Sequence, residues 1–142
     1  MLVSEILRKK SGSVITVDPR HHVDTVIRMF TEKKIGAVMV CGPTGNLVGI
    51  VTERDVLHSI AAHGIATLDQ KVEEVMSRVY TCEMDDTIKS VMQTMTLKHV
   101  RHLPVVDDGE LMGMISIGDI VKNQLDEAQL ELGTLRDFAH IH

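Results

Sequence analysis

The stretch from Val14 to Val56 is written a second time, from Val79 to Ile120, and this internal repeat restricts the fold more than any other feature of the sequence. At an offset of 65 residues, Val14-Ile-Thr-Val-Asp18 falls on Val79-Tyr-Thr-Cys-Glu83, which aligns Thr16 with Thr81. Val23-Asp-Thr-Val-Ile-Arg-Met-Phe30 falls on Ile88-Lys-Ser-Val-Met-Gln-Thr-Met95, and Ile35-Gly-Ala-Val-Met-Val40 on Val100-Arg-His-Leu-Pro-Val105. One residue is lost in the next turn, so Gly45 aligns with Gly109 and Asp55 with Asp119 at an offset of 64. The lead-ins match as well, Val3-Ser-Glu-Ile-Leu7 with Val72-Glu-Glu-Val-Met76, and the first copy carries a longer connection from Arg8 to Ser13. We therefore divide the chain into a first repeat, 1–65, a second repeat, 66–126, and a tail, 127–142, with the bridge between halves at Ala61 to Gln70. At 142 residues the chain fits one compact domain, or two small halves sharing a core.

Both copies carry the same order of elements. Val23, Val26, Ile27 and Phe30 recur at the i, i+3, i+4, i+7 spacing of a helix, as do Ile88, Val91, Met92 and Met95. Asp24 or Thr25 is expected to open the first of these helices, and Asp85 to Thr87 the second. Apolar strands follow at Ala37 to Cys41 and Leu103 to Val106, then the turns Gly42 to Asn46 and Asp107 to Glu110, whose residues suit tight turns. Second strands run from Leu47 to Val51 and from Leu111 to Ile115, and closing helices begin at Glu53 and Ile117. The expectation is an α/β (α+β) fold of two β-α-β-β-α repeats, with near-continuous apolar strands covered by helices and packed sheet to sheet with pseudo-two-fold symmetry.

Each closing helix starts at a repeated motif, Gly49-Ile-Val-Thr-Glu-Arg-Asp55 and Gly113-Met-Ile-Ser-Ile-Gly-Asp119. Thr52 and Ser116 stand at a strand-to-helix junction, with a carboxylate three residues on, the spacing of a capping box. Each motif is thus readable as a helix start and nothing more, worth about 1 kcal/mol. A helix N-terminus also offers unpaired N–H groups to an anion, and a carboxylate can accept from both hydroxyls of a ribose. Gly49 and Gly113 are expected to let a ligand approach the backbone closely.

The doubled Gly-x-x-Thr/Ser-x-x-Asp, the hydroxyl residues Thr16 and Thr81, and the stretch Arg101-His-Leu-Pro-Val105 together resemble a pair of cystathionine β-synthase (CBS) domains, from about Val3 to Leu125. The resemblance implies a module that holds an adenosine nucleotide between the repeats. Asp55 and Asp119 would then be ribose ligands, Thr52 and Ser116 phosphate-side contacts, and Thr16 and Thr81 neighbours of the base. Pro104, in the Arg101–Val105 stretch, joins the ligand contacts on the same ground. The implied ligand is AMP or ATP first, with NAD(H) or S-adenosylmethionine as alternatives. The resemblance also implies a homodimer, with four repeats in a disc.

The two clefts are chemically unequal. Arg54 precedes Asp55, whereas Gly118 precedes Asp119; Arg101 and His102 stand where the first copy has Gly36 and Ala37. Arg54, Arg101 and His102 are candidate phosphate ligands, since guanidinium binds phosphate bidentately and imidazole donates a hydrogen bond. They are equally readable as polar residues at a strand entrance.

Composition narrows the alternatives. A formal charge of −5 and 2% aromatic residues argue against nucleic acid as a partner. The longest apolar run, Ala37 to Cys41, is far short of the ~20 residues that span a bilayer. Met1-Leu-Val-Ser-Glu5 lacks the marks of a secretory leader, and two cysteines, Cys41 and Cys82, make no disulfide framework, so a cytoplasmic setting is expected. Eight histidines include no metal-binding motif, and no metal is expected; His140 and His142 lie in the tail. Nine methionines read as core filler in a chain poor in aromatics. No nucleotide-hydrolase or nucleophile-elbow motif is present, which puts an enzyme behind two other readings. These are a sensor that acts on a separate protein and a ligand-independent dimerisation adaptor. The tail is expected either to continue the closing helix briefly over Glu127 to Leu132, with Leu130, Leu132, Leu135 and Phe138 docking on a neighbour, or to form a disordered end.

Overall fold

The computed structural model describes residues 1–10 and 14–141, with side-chain surroundings as far as Ala139. Residues 11–13 of the longer first connection, and the side chains of the histidines at 140 and 142, lie outside that description. The first repeat comprises α1 (Val3–Lys9), β1 (Thr16–Val17), α2 (Val23–Lys33), β2 (Ala37–Cys41), β3 (Leu47–Thr52) and α3 (Glu53–His63). A 3₁₀ turn at Gly64–Asp69 leads to the second: α4 (Val72–Val75), β4 (Cys82–Glu83), α5 (Ile88–Lys98), β5 (His102–Asp107), β6 (Glu110–Ser116) and α6 (Ile117–Ile141). No described helix is long and apolar enough to cross a membrane.

Among the described residues each repeat builds one three-stranded sheet, β1-β2-β3 and β4-β5-β6, with the first pair parallel and the second antiparallel. The registers repeat as the sequences do: Val17 opposes Val40 and Cys82 opposes Val105, while Val40 opposes Gly49 and Val105 opposes Gly113. The shorter second hairpin turns through Asp108 and Gly109, both at positive φ (50° and 81°), the geometry that two-residue hairpin turns require. The central strands are buried from Ala37 to Val40 in β2 and from Leu103 to Val105 in β5, as strands covered on both faces must be.

The lead-in helices are exchanged between the repeats. Val3 N–H donates to the Asp86 carbonyl (2.9 Å), Ser4 to Met84 (3.0 Å), and Ile88 N–H to the Met1 carbonyl (3.0 Å), so α1 docks on the second repeat. Reciprocally, Val72 donates to His21 (2.7 Å), Glu73 to Pro19 (3.0 Å), and Val23 to Gln70 (2.9 Å), so α4 docks on the first. Every bond of one set has its equivalent in the other, the reciprocity of a pseudo-two-fold axis. The two cores follow this exchange. Val3 and Ile6 pack with Cys82, Val91, Leu103, Val105 and Ile115, whereas Val72 packs with Val23, Val26, Val38, Val40 and Val51. Neither repeat completes its core alone.

Three expectations are corrected. Helix α2 opens at His22, which makes no side-chain cap, so Asp24 lies within its first turn, where the dipole still favours a carboxylate. Helix α5 does open at Thr87, whose hydroxyl accepts from Ser90 N–H at 3.1 Å. At Gly49 an added Cβ would lie 2.5 Å from Met76 Sδ, and at Gly113 it would lie 3.0 Å from Leu7 Cδ1. The close approach those glycines permit is made by the chain's own lead-in residues, not by a ligand. The tail is neither short nor disordered over the described residues, because α6 runs on without a break to Ile141.

Candidate functional site

Thr52 leaves β3 extended (φ −112°, ψ 167°) and caps α3 with a complete capping box. Its hydroxyl accepts from Asp55 N–H at 3.3 Å, and Asp55 Oδ2 accepts from Thr52 N–H at 2.8 Å and from the Thr52 hydroxyl at 3.0 Å. The other carboxylate oxygen accepts from the Ser77 hydroxyl, which arrives from the connection beyond α4. Ser77 is held there by two backbone bonds with Ile50, at 2.8 and 3.2 Å. At the other turn Asp119 Oδ2 accepts from Ser116 N–H at 2.8 Å, and Asp119 N–H donates to the Ser116 hydroxyl at 3.1 Å. Here the visitor is Lys10, whose ammonium donates to Asp119 Oδ2 at 2.9 Å and to the Met114 carbonyl at 2.8 Å. Each aspartate is thus met from the other repeat's lead-in connection, by a hydroxyl in one case and a cation in the other.

Thr52 and Asp55 line a cleft of about 560 Å³ whose walls come from both repeats. The first supplies Gly36, Ile50, Glu53, Arg54, Leu57 and His58, and the second supplies Ser77, Arg78, Tyr80, His99, Val100, Arg101 and His102. That volume is of the size that holds a small organic ligand. Three guanidinium groups and three imidazoles face two carboxylates in a chain whose formal charge is −5. The cleft is therefore a local exception to an acidic protein.

The electrostatics tie the two turns together. Burial pushes His102 below the ordinary imidazole value; Asp119 and Glu53 oppose the shift, and Lys10 and Arg101 reinforce it. His102 faces Ser116 across the β5–β6 ladder, so it stands between the cleft and the second turn. Burial alone would raise the Asp119 carboxyl, but the bonds from Lys10 and Ser116 outweigh it and hold the group below the usual carboxylate range. Burial pushes the Cys82 thiol up to about 12, with Asp86 adding to it, and raises Cys41 as well, so neither is poised as a nucleophile. Among the described residues no three histidine, cysteine, aspartate or glutamate side chains are grouped to hold a metal ion.

Of the residues singled out from the sequence, the cleft brings together Thr52, Arg54, Asp55, Arg101 and His102. Ser116 and Asp119 lie at the second turn and do not line it, nor do Thr16 and Thr81, which are exposed, or Pro104, which is buried in β5. The sequence reading missed Ser77, Arg78 and Tyr80, and at the other turn Lys10. The signal was within reach, since all four follow the matched lead-ins that end at Met76 and Leu7.

Comparison with known proteins bears on the family and the fold. A sequence profile of the CBS domain matches residues 3–62 and again 72–126. A CBS domain-containing protein of Arabidopsis thaliana, CBSX3, mitochondrial by name, is 30% identical over 96% of this chain and 70% of its own length. The crystal structure of a CBS-domain-containing protein from Agrobacterium tumefaciens is 38% identical, with a TM-score of 0.83 over 87% of this chain and 92% of its own. The CBS domain pair of the protein MJ0100, solved in complex with methylthioadenosine and S-adenosylmethionine, is 26% identical, with a TM-score of 0.79 over 89% of this chain and 98% of its own.

Proposed function

The chain belongs to the CBS domain family, as a tandem pair, and from that premise we propose that it is a regulatory module that binds a phosphorylated adenosine compound in the cleft between its repeats. The observation that carries the reading is the cluster of Arg54, Arg78, Arg101, His58, His99 and His102 around a capped helix start. A site with that excess of donors favours AMP or ATP, and NAD(H) by its pyrophosphate, over the sulfonium cation of S-adenosylmethionine, which occupies the MJ0100 pair. Tyr80, the single tyrosine of the chain, supplies an aromatic wall for the base.

In this reading Asp55 exchanges its Ser77 bond for ribose hydroxyls, while Thr52, Arg54, Arg101 and His102 attend the phosphates. Ser116 and Asp119 form the equivalent second site, where Lys10 must first leave the carboxylate. Thr16 in β1, Thr81 just ahead of β4 and Pro104 in β5 are kept as flanking contacts. Two chains associate as a disc of four repeats in a cytoplasmic setting, and the output acts on a separate protein, not on nucleic acid or a membrane. Such regulation requires that ligand and partner favour the same one of two states. The reading is of recognition without turnover.

One observation favours an adaptor instead: both carboxylate oxygens of Asp55, and Oδ2 of Asp119, already have partners within the chain. Thermal unfolding with AMP, ATP, NADH and S-adenosylmethionine separates the two. A ligand present at 100 times its Kd should stabilise the fold by about 2.7 kcal/mol. A flat response to all four supports the adaptor, and hydrolysis of any of them by the pure protein contradicts both.

A further inference from the structure

Helix α6 outruns the fold that it closes. From Ala128 to Ala139 every side chain except Gly133 is exposed, including Leu132 at 54% and Leu135 at 64%. A stretch of about 12–15 residues without packing is marginal as a helix in water. A continuous helix there points to a partner surface.

The apolar residues have a period. Val121, Leu125, Ala128, Leu132, Leu135 and Ala139 follow one another at steps of four, three, four, three and four. That is the a/d spacing of a coiled-coil seam, with Leu125, Leu132 and Ala139 at the a positions and Val121, Ala128 and Leu135 at d. Gly133 falls outside the seam, and so does Leu130, which is 72% exposed on the outer face. Glu131 then takes a g position and Arg136 the following e position, and neither has an ion-pair partner among the described residues. In a parallel, in-register pair, each g residue meets the next e residue of the other strand. Glu131 of one copy therefore meets Arg136 of the other, twice by symmetry. In an antiparallel pair g meets g and e meets e, and no opposite charges face each other.

We infer that the C-terminal half of α6 is a dimerisation seam that pairs with a second copy of this chain as a parallel coiled coil. The inference deepens the proposal of a two-chain assembly and is independent of the ligand.

Single cysteines placed in the full chain test it by mild oxidation, with the unmodified chain as background for Cys41 and Cys82. Ala128→Cys and Leu135→Cys are expected to give covalent dimers, and Leu130→Cys, although more exposed, is not. In the Leu135→Cys chain, Glu131→Lys and Arg136→Glu should each lower the cross-linked fraction several-fold, since each sets like charges face to face. Mixing the two should restore it, because both mixed pairs are again opposite in charge. Equal cross-linking at 130 and 135, or none above background, overturns the seam. A loss that mixing does not restore overturns the parallel register. A chain that sediments as a dimer yet fails to cross-link at either seam position keeps the disc and removes the coiled coil.

Discussion

Replacing Gly49 by alanine places a methyl carbon 2.5 Å from Met76 Sδ, 2.9 Å from its Cγ and 3.2 Å from its Cβ. Ordinary contacts between such atoms lie at about 3.5–4.0 Å, so the overlap is about 1 Å at the sulfur. Rotating the methionine does not cure it, because Cβ is itself too close and is fixed to a backbone that Val72 buries in the first core. Overpacking of this kind costs about 1–3 kcal/mol, and the upper half of that range is expected here. Gly113→Ala is the internal control. Its nearest neighbour is Leu7 Cδ1 at 3.0 Å, the end of a side chain that can turn away, so it should cost less than about 1 kcal/mol. Urea unfolding measures both, with the midpoint falling and the slope unchanged if only stability is altered. Shortening the obstacle in a Gly49→Ala, Met76→Ala double variant should give a coupling of about 1–2 kcal/mol, well outside additive behaviour. If Gly49→Ala matches the parent, or its cost simply adds to that of Met76→Ala, then α4 does not dock on β3 as described.

Other consequences follow from the same contacts. Leu103→Ala empties a fully buried position in the second core and should cost about 2–5 kcal/mol by urea unfolding. Thr52→Ala removes the acceptor of the α3 capping box and should cost about 1 kcal/mol in the same assay, whereas Thr52→Ser should restore most of it. His102 has a folded pKa below its unfolded value, so the unfolded chain binds more protons in the window beneath 6.5. Its stabilising share is complete above that value and is lost as pH falls towards the folded pKa, and His102→Gln should flatten that part of the stability–pH curve. A phosphate favours the protonated imidazole, so the affinity of the parent for a phosphate-bearing ligand, relative to that of His102→Gln, should rise as pH falls through that window, measured by calorimetry at stepped pH.

What could be read from the sequence was local. The starts of α3 at Glu53 and α6 at Ile117 were legible because a hydroxyl and a carboxylate three residues later form a chemical signature of a helix start. Strand β2 was legible to the residue because an unbroken apolar run ended in a turn of glycine and proline. The start of α2 was not, since His22 caps it through backbone geometry alone, without a side-chain bond to betray it. Half of the candidate site was legible from the repeat, through Thr52 and Asp55 where the copies agree and Arg54, Arg101 and His102 where they differ. The other half depends on the exchange of α1 and α4, which brings Ser77 onto Asp55 and Lys10 onto Asp119. Contacts that join residues 22 and 109 positions apart leave no periodicity to detect. The same exchange explains why Gly49 and Gly113 looked like room for a ligand and turned out to be room for Met76 and Leu7.

The most direct test is calorimetric titration of AMP into the native chain, an Asp55→Ala, Asp119→Ala double variant and a Thr87→Ala variant. The account predicts saturable heat from the native chain, retained with Thr87→Ala, which weakens a helix start away from the cleft, and lost with the double variant. Binding that survives the loss of both aspartates, or no heat from the native chain with AMP, ATP or NADH, would contradict it.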